Sequence, residues 1–210
     1  MCKVKTTQIS EETRIAILDA AWDLIAASGR LDVGQAEIAA KAGVSRQTIY
    51  LAFGNRAGLL MAVLRNRDTK TGHVARLLEI AGRSKVSAET FLAFIDTWLD
   101  YLPIIYPVGI QVDAAALNDR EAAAAWDDRM KALLHGMKSM LNTLEASGAL
   151  AEDCTAARAA DVAWSLIHPS AWRLLVIERG WKPGDFRKDR LRSIERLLLR
   201  KPAPTSRRRA

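Results

Sequence analysis

The stretch AEIAAKAGVSRQTIYLAFGNRAGLLMAVL, Ala36 to Leu64, decides how the rest of the chain is read. Ile38, Ala39 and Ala42 recur at three- and four-residue steps, the spacing of one helical face, and Gly43 stops that helix with the residue best able to take a positive φ. Val44 fills the angle, and Ser45 is placed to cap a second helix by accepting a backbone N–H. On this second helix Ile49 and Phe53, four residues apart, point inward, leaving Arg46, Gln47, Thr48 and Tyr50 outside. With Gly43 and Val44 as the joint, the two helices cross steeply, as in a helix-turn-helix.

The outward residues have the chemistry of a DNA reader. Arg46 and Gln47 lie in the first turn, the end that enters a major groove, and suit guanine and adenine edges respectively. The hydroxyls of Thr48 and Tyr50 suit phosphate oxygens, which fix register without reading sequence. Gln35, opening the first helix of the pair, is a further candidate contact. Arg56, inside the N-terminus of the following helix, combines a cation with free backbone N–H groups and is expected to clamp a phosphate. The plainer alternatives stay open: a helix pair serving only as a corner, Tyr50 as a packed aromatic, Arg56 as a surface charge.

This segment resembles the TetR family of bacterial regulators. The resemblance is carried by Ile38-Ala39, Ala42-Gly43-Val44-Ser45, Thr48-Ile49-Tyr50, Phe53, Asn55-Arg56 and Leu59-Leu60, with the helix from Arg14 to Ser28 before them. It implies a sequence-specific transcriptional regulator, a ligand-responsive repressor that binds a palindromic operator in double-stranded DNA as a homodimer. It departs from the family pattern at several positions. Ala52 stands where a histidine is frequent, Gln47 where a small residue is frequent, and Ala57-Gly58 where acidic residues are usual. Val33-Gly34 replaces the usual hydroxyl cap, leaving the helix start to Asp32 with Gln35 or to Gly34 with Glu37.

Outward from the motif, Ile15, Ala16, Leu18, Ala21, Trp22 and Ile25 mark a helix capped by Ser10, with Glu11 and Glu12 in its first turn. Downstream, helical periodicity runs from Asn55 to Arg67, Ala88 to Leu102, Ile104 to Leu117, Arg120 to Ser147, Thr155 to Arg179 and Asp185 to Arg200. Pro103 and Pro107 are expected to break or kink the chain, Gly148 to end a helix, and Pro169 to divide its helix near His168. The fold class is therefore all-α: a three-helix DNA-binding domain at 10–54, a helical effector-binding and dimerisation domain at 55–200, and a disordered basic tail at 201–210.

Charge alone does not make the case. Of the net +7, residues 187–210 hold ten Lys/Arg against Asp189 and Glu195, a surplus of +8 that leaves the remainder at −1. The tail can be a non-specific anchor or a solvated terminus. Cys2 and Cys154 have no CxxC partner or His at ligand spacing, so no metal or cofactor is expected. His73, His135 and His168 form no ligand set, and neither a phosphate-cradling glycine loop nor a nucleophile elbow occurs, so no catalytic residue is assigned. No uninterrupted apolar run suggests a membrane span, and the polar first ten residues do not resemble a signal peptide. A cytoplasmic protein is expected.

Aromatic and methionine side chains on otherwise Ala- and Leu-rich helices are candidate walls of an apolar pocket. Trp98, Tyr101, Tyr106, Trp126, Met130 and Met137 are the expected ligand-binding set, the effector being apolar or amphipathic; their plain alternative is core. One recognition helix reads only a few base pairs, so a second copy is needed. The resemblance implies a four-helix dimer interface from the last two long helices. The contrasting readings are an enzyme, for which no machinery is visible, and a helical scaffold of the same fold that has lost DNA binding or ligand response.

Overall fold

The computed structural model describes residues 9–200; Cys2 and the tail lie outside them. Helix α1 (Glu11–Ser28) begins where Ser10 Oγ accepts the Thr13 N–H at 3.1 Å. Then follow α2 (Gln35–Ala42), α3 (Arg46–Phe53), α4 (Arg56–Thr71), α5 (His73–Ala81), α6 (Ala88–Ala116), α7 (Arg120–Ala146), α8 (Ala156–Ile167), the single turn α9 (Pro169–Trp172), a π-helical segment Arg173–Glu178 and α10 (Pro183–Leu198). Among the described residues the fold is all-α, with no strand beyond an isolated antiparallel bridge between Leu150 and Leu199.

Two features depart from the periodicity reading. Helix α5 lies between the periodic stretches ending at Arg67 and beginning at Ala88, and it buries Leu77 and Ile80. Helix α6 runs unbroken through Pro103 and Pro107. Each proline lacks an N–H and costs a helical bond, but Phe91, Ile95, Leu102, Ile105, Val108 and Val112, all fully buried, anchor both sides of the break. Burial at roughly 1.5–3 kcal/mol per large side chain outweighs a proline penalty of about 3 kcal/mol. By length and composition α6 also meets the requirement for a membrane span; half of that apolar window is buried within the protein, as in a core helix. The break expected near His168 is present: His168 is extended, its Nδ1 accepts the Ser170 N–H at 3.2 Å, and Pro169 opens α9.

The chain divides into two compact units, drawn differently from the functional boundary expected at residue 54. One takes the chain up to Ala75 together with Pro103–Lys131; the other takes Arg76–Leu102 and the chain from Ala132. In the first, α1 centres on Ile17, Leu18, Trp22 and Ile25, and α4 adds Leu59, Leu60, Val63 and Leu64. Ion pairs tie this unit together: Lys70 to Asp19 at 2.5 Å, Arg65 to Asp128 at 2.9 Å and Arg129 to Asp68 at 2.8 Å. The last two pairs explain why the start of α7 belongs with α4. In the second unit Trp98 donates Nε1–H to the Ile167 carbonyl at 2.9 Å, and Trp172 meets Phe186 edge-on at 5.2 Å.

Candidate nucleic-acid interface

The joint between α2 and α3 is closed by two backbone bonds. Gly43, at φ 68°, donates to the Ala40 carbonyl and Val44 to that of Ala39, at 3.3 and 3.0 Å, the paired pattern of a Schellman ending. Two residues later Ser45 Oγ accepts the Thr48 N–H at 3.1 Å and starts α3. Ile49, 1% exposed, pins the helix down. Beneath its far end the Arg14 guanidinium lies 4.7 Å from the centre of the Phe53 ring and donates to the Ala52 carbonyl at 3.5 Å. Arg14 is a supporting residue with no local signal in the sequence, because its hydrogen-bond partner Ala52 lies 38 residues away.

With its inner side fixed in this way, α3 has its outer residues in solvent. Arg46 and Gln47 are exposed in the first turn and Tyr50 is 64% exposed. Gln35 is half-buried at the start of α2. No acidic residue occupies the first turn of α3 or of α4, so the positive ends of both helix dipoles keep their attraction for phosphate. Thr48 is half-buried, and its hydroxyl shares a 2.9 Å hydrogen bond with that of Ser45, so it serves the cap first. At the start of α2, Gly34 is the N-cap without a side-chain bond, the Gly34 alternative of the two.

Arg56 has partners within the protein. One guanidinium nitrogen pairs with Asp119, between α6 and α7, and the other donates to the Leu31 carbonyl at 3.3 Å, so a phosphate at this helix start would compete with Asp119 for Arg56. Asp119 also accepts the N–H groups of Glu121 and Ala122 at 2.9 and 3.2 Å and so caps α7. The Ala122 N–H, followed by the Arg56 hydrogen bond, holds its carboxyl below the ordinary carboxylate value. Because this group is more acidic folded than unfolded, its stabilisation is complete above the ordinary carboxylate range. It is lost as the pH falls through the lowered folded value. An Arg56→Ala variant should lose at most about 1 kcal/mol of stability, since both partners are partly exposed. The salt dependence of DNA binding should not change; a slope flatter by about 0.9 in a salt titration would place Arg56 among the phosphate contacts.

The turn from α3 into α4 explains one departure from the family pattern. Gly54, at φ 74°, bends the chain so that Asn55 donates to the Phe53 carbonyl at 3.0 Å. Asn55 Oδ1 in turn accepts the Gly58 N–H at 2.9 Å. A Cβ on Gly58 would stand 2.2 Å from the Phe53 oxygen, so only glycine fits there without movement.

The expected ligand-binding side chains divide between the units. Trp98, Tyr101 and Met137 are buried in the second; Trp126 and Met130 are buried, and Tyr106 half-buried, in the first. Trp98 packs edge-on against Tyr101 with ring centres 6.1 Å apart, and the Trp126 ring lies against Gly109 of α6. The surface clefts at α1–α4, around Cys154 and beside Glu89 are lined by other residues. No group of three or more potential metal ligands occurs among the described residues.

Residues 17–63, which hold α2, α3 and the turn into α4, match the family of bacterial regulatory proteins named tetR. That segment is a TetR-type N-terminal domain. Its N-terminal part is 43% identical over 64 residues to the HTH-type transcriptional regulator SrpR of Pseudomonas putida, an alignment covering 30% of each protein. The chain thus matches less than a third of that relative's length. The fold extends further. A Saccharomonospora viridis protein solved in complex with choline superposes with a TM-score of 0.74 over 91% of this chain and 100% of that one, at 22% identity. FadR of Bacillus subtilis, solved with stearoyl-CoA, gives 0.69 over 86% and 97%, at 20% identity. Those likenesses establish a shared all-α fold and leave the ligand open.

Proposed function

We propose that this chain is a TetR-family, sequence-specific DNA-binding regulator, a repressor that grips a palindromic operator as a homodimer and releases it on binding a small effector. The observation that carries the reading is the placement of α3: capped by Ser45, pinned by Ile49, and presenting Arg46, Gln47 and Tyr50 to solvent from a first turn without acids. Arg46 is assigned to a guanine edge and Gln47 to an adenine edge; Tyr50, Gln35 and the Ser45–Thr48 cap take phosphates. The DNA-binding domain is taken as residues 10–54 and the effector and dimerisation domain as 55–200. A cytoplasmic setting accords with this role.

The effector is proposed to be apolar or amphipathic. Of the candidate wall residues Tyr106, Trp126 and Met130 are favoured, because they share a compact unit with α3. A ligand that repacks Trp126 against Gly109 acts on that unit from within. It must favour the DNA-releasing state by about 1–3 kcal/mol. Selection of bound duplexes from a random pool tests the whole reading. Two inverted half-sites spaced by about one helical turn, or a multiple of it, are expected; a pool without enrichment overturns it and leaves the scaffold of the same fold.

A further inference from the structure

The outer face of α3 carries a large apolar side chain among its polar ones. Leu51 is 65% exposed, next to Tyr50 at 64%. At about 100° per residue it lies about 160° round the helix from the buried Ile49 and from the half-buried Phe53, the two residues that face inward. Leu51 is thus the residue of α3 turned most directly outward. Gln47, four residues earlier and also exposed, is about 40° away on the same face and about 6 Å nearer the start of the helix. The register is held at both ends: Ser45 Oγ accepts the Thr48 N–H at 3.1 Å, and Gly54 donates to the Tyr50 carbonyl at 2.8 Å.

Helix formation does not ask for a leucine at this place. Arg, Lys, Gln and Glu form helices about as well and would be hydrated, and a cation would add attraction to phosphate. Single exposed leucines are common on protein surfaces, and Leu78 and Leu117 are exposed as well. Leu51 differs from them in standing beside Gln47, in the middle of the face proposed to enter the major groove. The floor of that groove presents donors and acceptors at every base pair and one kind of apolar group, the C5 methyl of thymine. A leucine laid against a ring nitrogen, carbonyl or amino edge would strip it of water and return no hydrogen bond. Against a methyl group, both partners leave water together. We infer that Leu51 reads a thymine through its C5 methyl, at a base pair about two steps from the adenine assigned to Gln47, since 6 Å of helix spans roughly two steps of 3.4 Å. The inference rests on the proposed regulator reading of α3, and it adds to the polar contacts a base contact made without a hydrogen bond.

The test uses the full-length protein and an operator recovered by selection from the random pool, in which each symmetric pair of thymines is replaced in turn by deoxyuridine. Uracil pairs with adenine as thymine does and lacks only the C5 methyl, so every hydrogen-bonding group stays in place. At one symmetric pair the replacement is expected to weaken binding of the parent protein about four-fold for each half-site and about fifteen-fold for both, the worth of one buried methyl carbon. Leu51→Ala should bind the thymine and uracil operators alike at that pair. Leu51→Met, which keeps an apolar side chain of similar reach, should retain most of the preference for thymine. The position is exposed, and a thermal melt checks that both variants are folded. Two results overturn the inference and leave Leu51 a solvated surface residue: no thymine pair whose replacement weakens the parent protein, or a Leu51→Ala protein that keeps the parent's preference for thymine. A pool that yields no operator strikes the reading of α3 as a whole, whereas an operator read through Arg46 with no thymine dependent on Leu51 strikes this inference alone.

Discussion

A Gly58→Ala variant is expected to lose about 1–2 kcal/mol of stability and at least ten-fold in operator affinity, although it places a better helix former inside a helix. Alanine's helical advantage over glycine is at most about 1 kcal/mol, whereas overpacking against fixed backbone costs about 1–3 kcal/mol. The new Cβ would stand 2.2 Å from the Phe53 carbonyl oxygen, which has no side-chain torsion by which to retreat. Relief must come from moving the end of α3 or opening the Asn55 cap on Gly58. DNA binding should therefore suffer more than folding. Urea denaturation and fluorescence anisotropy measure the two effects, and a variant as stable and as tight-binding as the parent would contradict the close approach.

Loss of Arg46 has the second large effect. A bidentate pair to a base is worth about 1–3 kcal/mol, and a homodimer makes it twice, so Arg46→Ala should weaken operator binding by about 2–6 kcal/mol, 30-fold or more. Gln47→Ala should act similarly at its own base pair. Both leave stability within about 0.5 kcal/mol, as exposed positions do. Competition with single-base operator variants distinguishes base reading from simple attraction: the Arg46→Ala protein should no longer discriminate at one symmetric pair of positions. Equal discrimination by parent and variant would remove Arg46 from the readout.

Local physics made the motif legible. Ser10, Ser45 and Gly43 act on backbone groups within five residues, so their types and spacing carried enough information to place α1, α2 and α3. What stayed hidden depended on distance. Arg56 at a helix start has the form of a phosphate ligand, and nothing local announces its pairing with Asp119, 63 residues on. Gly58 looked like the loss of a customary acid; the reason for it is a carbonyl delivered by the preceding turn. The prolines of α6 spoke locally for a break, and burial on either side prevailed. The pairing of α4 with the start of α7 rests on Arg65–Asp128 and Asp68–Arg129, which no periodicity announces.

The outer face of α3 is the centre of the account, and guanine methylation interference on a selected operator reaches it most directly, because N7 is the atom an inserted arginine occupies. With the parent protein, one methylated guanine in each half-site should abolish binding; with Arg46→Ala the same methylations should have no effect. An interference pattern identical for the two proteins would contradict the claim that this helix reads the operator through Arg46.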